Sequence, residues 1–402
     1  MNMRTDYHIS VRMWNIQCEL MRMCHDVNAY MKVPTFNLTY DNKIDYLEQA
    51  MNITEKYADS IRQAFTKILE KRNIVIISAI VVFLITIAFV IGKSYNKNTS
   101  YEMITKDVSW LKVESNKIVN NSGEQILLKG ISSHGLEWYS DILTENAFKY
   151  LRKEFQINTF RIAVYPGENF NLENIKSKLY PIVDKLIELD LYVIIDWHTL
   201  EECDPNVYIE DSKMFFTDVS KKYSNIPNIL YEICNEPNSN PVTWDDHIKP
   251  YAEKIIPIIR ENSSNSIIIV GTPDYCKKVN KAADNPLEYS NIIYSVHFYA
   301  GTHGKIVKDN IKYALEKGIA VLATEWGTTI ENGDGKIYEE SSKQWIDFLE
   351  ENKIGYINWS FSNKNEGSAI LTDKYTKEKE QVIHKYLTES GKLVQKIYNK
   401  GE

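Results

Sequence analysis

The sequence predicts an eight-stranded (β/α)8 barrel of the TIM type, preceded by a single N-terminal transmembrane helix, and three observations carry that prediction. Eight short β-branched runs alternate with stretches of helical periodicity, the pattern of parallel strands joined by crossover helices. No glycine-rich phosphate loop follows the first run, which argues against a doubly wound open sheet. Upstream, residues 74–91 read IVIISAIVVFLITIAFVI without one charge. As a helix that run reaches roughly 27 Å, close to the hydrocarbon thickness of a bilayer.

The elements follow in order. Residues 1–73 form an N-terminal tail, with Leu47, Ile53, Ile61, Phe65 and Leu69 at helical spacing. Residues 74–92 are the membrane span. It is long for a signal-peptide core, and no Ala-x-Ala-like site follows it. Arg62, Lys67, Lys71 and Arg72 before the span outnumber Lys93 and Lys97 after it, which places the tail in the cytoplasm and the rest outside. Residues 93–107 are a polar stalk. From 108 to 402 the barrel domain begins with a hairpin over 111–119 and a turn at 120–123, placed to cover the barrel floor. The eight runs then fall at 126–131, 158–164, 191–196, 229–233, 267–270, 292–296, 319–323 and 354–359, with helices such as 174–189, 244–262, 306–317 and 341–351 between them.

Composition excludes some partners. Lys+Arg total 47 against Asp+Glu 54, and no basic stripe interleaved with aromatics occurs, so a nucleic-acid partner is not expected. The five cysteines form no Cys-x-x-Cys pair, so neither a disulfide framework nor a structural zinc site is expected. Most of the 26 tyrosines and 8 tryptophans belong to the core, with a few free to stack on sugar rings.

In such a barrel, chemistry sits at the C-terminal ends of the strands. Those ends carry His134 and Trp138 after the first run, Arg161 and Tyr165 on the second, and Asp196-Trp197-His198 on the third. The fourth carries Asn235-Glu236, the sixth His297 and Tyr299, the seventh Glu325-Trp326 and the eighth Trp359. Two glutamates delivered by two strands of one barrel suit glycosidic-bond cleavage, one held protonated and one ionised. Glu236 is the expected acid and then base, and Glu325 the nucleophile. Arg161 and Tyr299 can keep Glu325 ionised, and Asn235 is placed for a sugar 2-hydroxyl. His134, His198 and His297 can bind hydroxyls or tune the carboxyls, while Trp138 and Trp359 offer flat faces to pyranose rings. Each residue alone has a plainer reading, a satisfied histidine or a structural salt bridge. Their convergence on one reaction decides between the two. A metal-dependent barrel hydrolase would need a His-x-His pair after the first strand, which is absent.

Residues 108–399 resemble glycoside hydrolase family 5, closely its bacterial endo-β-1,4-glucanases, through LKGISSHGLEWY (128–139), FRIAVY (160–165), VIIDWH (193–198), YEICNEPN (231–238), VHFYAGTHG (296–304), ATEWGT (323–328) and NWSFSNKNEGSA (358–369). The resemblance implies retaining hydrolysis of a β-1,4-glucan polysaccharide, no cofactor and no metal, with Glu236 as acid/base and Glu325 as nucleophile. It also implies that Lys364 and Glu366 bind sugar on the non-reducing side, beside Trp138 and Tyr165. Tyr275 stands where relatives offer a tryptophan to the leaving group, and Cys234 where they have alanine. A monomeric catalytic domain outside the membrane is expected. The rivals are the same machinery acting on mannan, glucomannan or xyloglucan, and a tethered glycan-binding protein without activity.

Overall fold

The structure, a computed structural model, describes residues 108–168 and 170–400. The tail, the membrane-span reading of 74–92 and the stalk lie outside these residues. Among the described residues no helix is long and apolar enough to cross a membrane.

Two short strands, β1 (Lys112–Glu114) and β2 (Lys117–Val119), pair antiparallel. The hairpin reverses at Ser115 and Asn116, where Ser115 takes a left-handed φ of 55°. The turn expected at 120–123 is a second reversal, closed by a bridge from Val119 to Gln125. Eight parallel strands then close a barrel: β3 (Lys129–Ser133), β4 (Thr159–Val164), β5 (Tyr192–Trp197), β6 (Ile229–Glu232), β7 (Ile268–Val270), β8 (Ile292–Tyr299), β9 (Val321–Gly327) and β10 (Tyr356–Phe361), with β10 pairing β3. Every run read from the sequence is a strand. However, β8 and β9 continue past the expected ends, through Tyr299 and Gly327, because their polar residues find partners inside the barrel mouth.

The helices are α1 (Leu136–Tyr139), α2 (Glu145–Glu154), α3 (Leu172–Glu188), α4 (Ile209–Lys222), α5 (Lys249–Asn262), α6 (Pro273–Cys276), α7 (Val279–Asp284), α8 (Lys305–Glu316), α9 (Glu339–Glu351) and α10 (Glu389–Tyr398). α2 shows the local logic. Thr144 caps it by accepting from the Ala147 amide, and Ala147, Phe148 and Leu151 bury one face. The helix expected over 244–262 opens as a π turn, Trp244–Ile248, before α5 begins.

Strand alternation sorts side chains between two compartments. On β4, Phe160, Ile162 and Val164 pack among the helices, while Arg161 and Ala163 face inward. The barrel floor is apolar: Leu111 and Ile118 of the hairpin meet Ile194, Leu230, Ile293, Leu322 and Ile357 from the strand bases. Each such buried aliphatic side chain contributes about 1.5–3 kcal/mol. The hairpin therefore does cover the floor.

Alternation breaks in β9, beside the candidate site. β8 pairs Ser295 with Leu322 but His297 with Glu325, so β9 holds one extra residue over that length. β10 registers the same step, pairing Tyr356 with Ala323 and Asn358 with Trp326. This β-bulge turns the consecutive side chains of Thr324 and Glu325 both inward, where they bond Glu232 and Tyr299. Ala323 and Trp326 on either side pack outward in the core.

Candidate active site

Arg161 anchors the site. Fully buried, it donates from Nε to Oε2 of Glu232 at 2.7 Å and from Nη2 to Oδ1 of Asn235 at 2.7 Å. Nη2 also lies 3.1 Å from Asp196 Oδ2, and Nη1 donates to Glu325 Oε2 at 3.3 Å. Burial opposes its charge, but Asp196, Glu232 and Glu325 more than offset that, and the guanidinium pKa lies above its ordinary value. Glu232 carries no role in the sequence reading, and Asp196 appears there only as part of the third strand end. The signal was present, since a carboxylate at an inward barrel position needs a buried partner.

Asn235 is held on all sides. Its Nδ2 donates to the Thr199 carbonyl at 3.2 Å and faces Nε2 of His198 at 3.3 Å. His198 Nδ1 lies 2.6 Å from Asp196 Oδ2, and its ring stacks on Trp359 with centroids 5.1 Å apart. Burial, with Arg161 and His297 nearby, pulls the His198 pKa well below 6.5, so the ring is neutral. It therefore donates from Nδ1 to Asp196 and accepts from Asn235.

The two glutamates face different partners. Glu325, with 6% of its side chain exposed, accepts from the Tyr299 hydroxyl at Oε1 (2.8 Å) and from Arg161 at Oε2. Glu236, 12% exposed, meets Nδ1 of His297 at 2.7 Å. Burial pushes both carboxyls up to about 7. For Glu325 the neighbouring Glu236 adds to burial, while His297, Arg161 and Tyr299 oppose it. One oxygen of each glutamate and a His297 ring nitrogen all lie within 4.8 Å of one another. These are also cation-ligand types, but Glu325 already uses both oxygens and His297 already bonds Glu236.

Around this pair lies an aromatic and polar rim. His134 packs against Trp359 (5.0 Å) and Tyr165 (6.3 Å), and Trp138, 62% exposed, stands edge-on to Tyr165 at 5.0 Å. Burial, then Lys364 at 3.2 Å, pulls His134 down to about 3. Lys364 is itself paired with Glu366 at 2.6 Å. The Tyr275 amide donates to the carbonyl of Pro237, the residue after Glu236, at 3.1 Å. Asp274, Tyr275 and Cys276 are all left-handed, at φ 60°, 56° and 58°. That costs about 1–2 kcal/mol per residue. The buried Cys276 thiol helps hold the turn by donating to the Asn235 carbonyl (3.0 Å) and accepting from the Thr272 amide (3.2 Å). The fourteen residues expected to be catalytic or sugar-binding thus all stand at the C-terminal mouth of the barrel or on its rim. Trp326 does not, since it stacks on Phe298 in the core.

Comparison with known proteins places this geometry among relatives. The sequence model described as cellulase (glycosyl hydrolase family 5) matches residues 119–365. The chain is 45% identical over 251 residues to endoglucanase A of Evansella cellulosilytica, covering 62% of this chain and 51% of that protein. It is 46% identical over 264 residues to an endoglucanase of Clostridium saccharobutylicum, covering 65% and 59%. The chain therefore spans between half and three-fifths of the length of these two relatives. Among solved structures it is similar to the catalytic domain of a Thermobifida fusca endoglucanase, with a TM-score of 0.68 at 30% identity, covering 72% of this chain and 96% of that one. A variant of that domain in complex with cellotetraose superposes with a TM-score of 0.66 at 29% identity, over the same shares.

Proposed function

The chain belongs to glycosyl hydrolase family 5, and on that premise we propose that it is a retaining endo-β-1,4-glucanase that cuts internal bonds of a β-1,4-glucan. The observation that carries this reading is the close approach of the two carboxyls, with one oxygen of Glu236 and one of Glu325 within 4.8 Å. Retention needs carboxyl groups about 5–5.5 Å apart, whereas inversion needs roughly 6.5–9.5 Å to admit a water.

Glu325, facing two donors, attacks the anomeric carbon. Glu236 gives its proton to the departing glycosidic oxygen as the C–O bond breaks. A glycosyl ester on Glu325 results. Glu236, now a carboxylate, takes a proton from water, whose oxygen attacks the same carbon and releases Glu325. Trp138, Tyr165, Trp359, Lys364 and Glu366 would hold sugar on one side of the cleft, and Tyr275 would face the leaving side. The endoglucanase names of the relatives and the cellotetraose complex support glucan as substrate.

The test is reducing-sugar release by the full chain, wild type beside Glu325→Gln, on carboxymethylcellulose, mixed-linkage glucan, glucomannan and mannan. Activity on the first two that the substitution abolishes is expected. Preference for mannan would assign a mannanase, and inactivity of well-folded protein on every polymer would leave a glycan-binding role.

We also propose that residues 74–92 anchor the chain with its barrel domain outside the cell and monomeric. The uncharged run and the flanking Lys/Arg imbalance support this. Retention of the full chain in carbonate-washed membranes, with the barrel cleaved by protease added to intact cells, is the expected result. Release by carbonate would refute it.

A further inference from the structure

Beneath the two carboxyls runs a chain of hydrogen bonds that the reaction scheme above does not use. Glu232 Oε2 accepts from Arg161, and its Oε1 lies 2.6 Å from the hydroxyl oxygen of Thr324. That hydroxyl is 2.9 Å from Nε2 of His297 and also bonds the Ser295 hydroxyl. His297 Nδ1 in turn meets Oε1 of Glu236 at 2.7 Å. Thr324 points inward by ordinary alternation, and the β9 bulge turns Glu325 inward directly beside it.

The direction of each bond follows from its first link. Burial raises the Glu232 carboxyl pKa and Arg161 opposes that. The geometry decides for the ionised form, because the guanidinium Nε lies 2.7 Å away in a fully buried ion pair, so both oxygens accept. Thr324 has one proton and must give it to Glu232. Its remaining lone pairs then take protons from Ser295 and from Nε2 of His297. A neutral imidazole that donates from Nε2 has its lone pair on Nδ1. The group facing that lone pair, Glu236, must therefore be the donor.

We propose that Thr324 is a positioning residue that fixes His297 as its Nε2–H tautomer, so that the Nδ1 lone pair holds the proton on Glu236. The inference rests on the glycosidase reading and explains which of two adjacent glutamates is the acid. Burial and the nearby Arg161 cation keep the imidazole neutral, lowering its pKa to about 4 against the pull of Glu325 and Glu232. His198 just past β5 and His303 beyond β8 also face it, while Lys277 after α6 and Asp196 on β5 act on Glu236 across the cleft. Among the described residues, only Glu236 and Thr324 hydrogen-bond the two ring nitrogens.

Thr324→Val keeps the shape and removes the hydroxyl. The imidazole is then free to carry its proton on Nδ1 and donate to ionised Glu236, which lowers the Glu236 pKa. The alkaline limb of the kcat/KM profile should move down by about one pH unit, with kcat falling about tenfold. Thr324→Ser should restore both. Glu232→Gln should act like Thr324→Val, because its amide donates to Thr324 and sends the chain's protons the other way. Histidine 15N NMR of the wild-type full chain should show His297 protonated at Nε2.

An alkaline limb that stays in place in both Thr324→Val and Glu232→Gln overturns the proposal. A wild-type His297 protonated at Nδ1 overturns it without any variant. Glu325→Gln separates the two levels: turnover by that variant would remove the glycosidase reading itself, whereas its inactivity beside an unmoved limb removes only the role of Thr324.

Discussion

The Tyr299 hydroxyl donates to Oε1 of Glu325 at 2.8 Å, and the tyrosine ring packs closely against Gly327, two residues further along β9. A Cβ at Gly327 would stand 2.3 Å from that ring, so only glycine lets the phenol reach the carboxylate. A bond to the ionised form lowers a carboxyl pKa. Tyr299→Phe should therefore raise the Glu325 pKa and move the acidic limb of kcat/KM to higher pH by about one unit. A pH–rate profile of the variant checks this, and an unmoved acidic limb would contradict it.

The two glutamates should fail differently. Glu325→Gln removes the nucleophile and should reduce turnover by about 10³-fold or more whatever the leaving group. Glu236→Gln removes only proton donation, so an aryl glycoside with an acidic phenol should be cleaved nearly normally to the glycosyl-enzyme, followed by slow release. A burst of phenol from Glu236→Gln and none from Glu325→Gln is the expected record. The reverse would exchange their roles.

Arg161 holds Asp196, Glu232 and Glu325 together from a fully buried position. Arg161→Met leaves these carboxyls without their cation and should cost about 3–5 kcal/mol of stability at neutral pH. Without the cation their folded-state pKa values rise further above the unfolded ones. Stability is then retained below the unfolded carboxyl range and lost as pH rises through the folded values. Denaturant melts should show a larger deficit at pH 8 than at pH 5, and a deficit independent of pH would refute the assignment.

Trp138 is 62% exposed and braced edge-on by Tyr165. It lies over Gly135, where a Cβ would meet its ring at 2.4 Å. An indole presented this way offers a sugar-stacking face. Trp138→Ala should raise KM for long cello-oligosaccharides by about tenfold, equivalent to ~1.4 kcal/mol, and leave thermal stability unchanged. A KM unchanged across oligosaccharide lengths would make Trp138 a lid residue only.

The barrel was legible because its signal is local. A strand buried on both faces reads as a β-branched run, and eight runs separated by helical periodicity leave few topologies. The placing of Glu236, Glu325, His297 and Tyr299 together at the barrel mouth was legible because polar residues ending apolar strands have few reasons to be there. Glu232 carried no such signal because it sits inside an apolar run and looks like an interruption, and Asp196 was legible as a strand end without its partner, Arg161. Cys276 gave no signal, since nothing local shows that a thiol will bind the Asn235 carbonyl across the barrel mouth.

Residue order alone determined the eight strands, the outer helices and the strand ends that bear the chemistry, because burial of apolar side chains at fixed periods requires only neighbours in sequence. Tertiary structure decided which side chains look at one another. Strict alternation would send Thr324 inward and Glu325 outward. The bulge in β9, visible only in its pairing with β8 and β10, turns both into the barrel. There the charge of Arg161 and the directions of a few shared protons distinguish two glutamates that are chemically alike in the sequence.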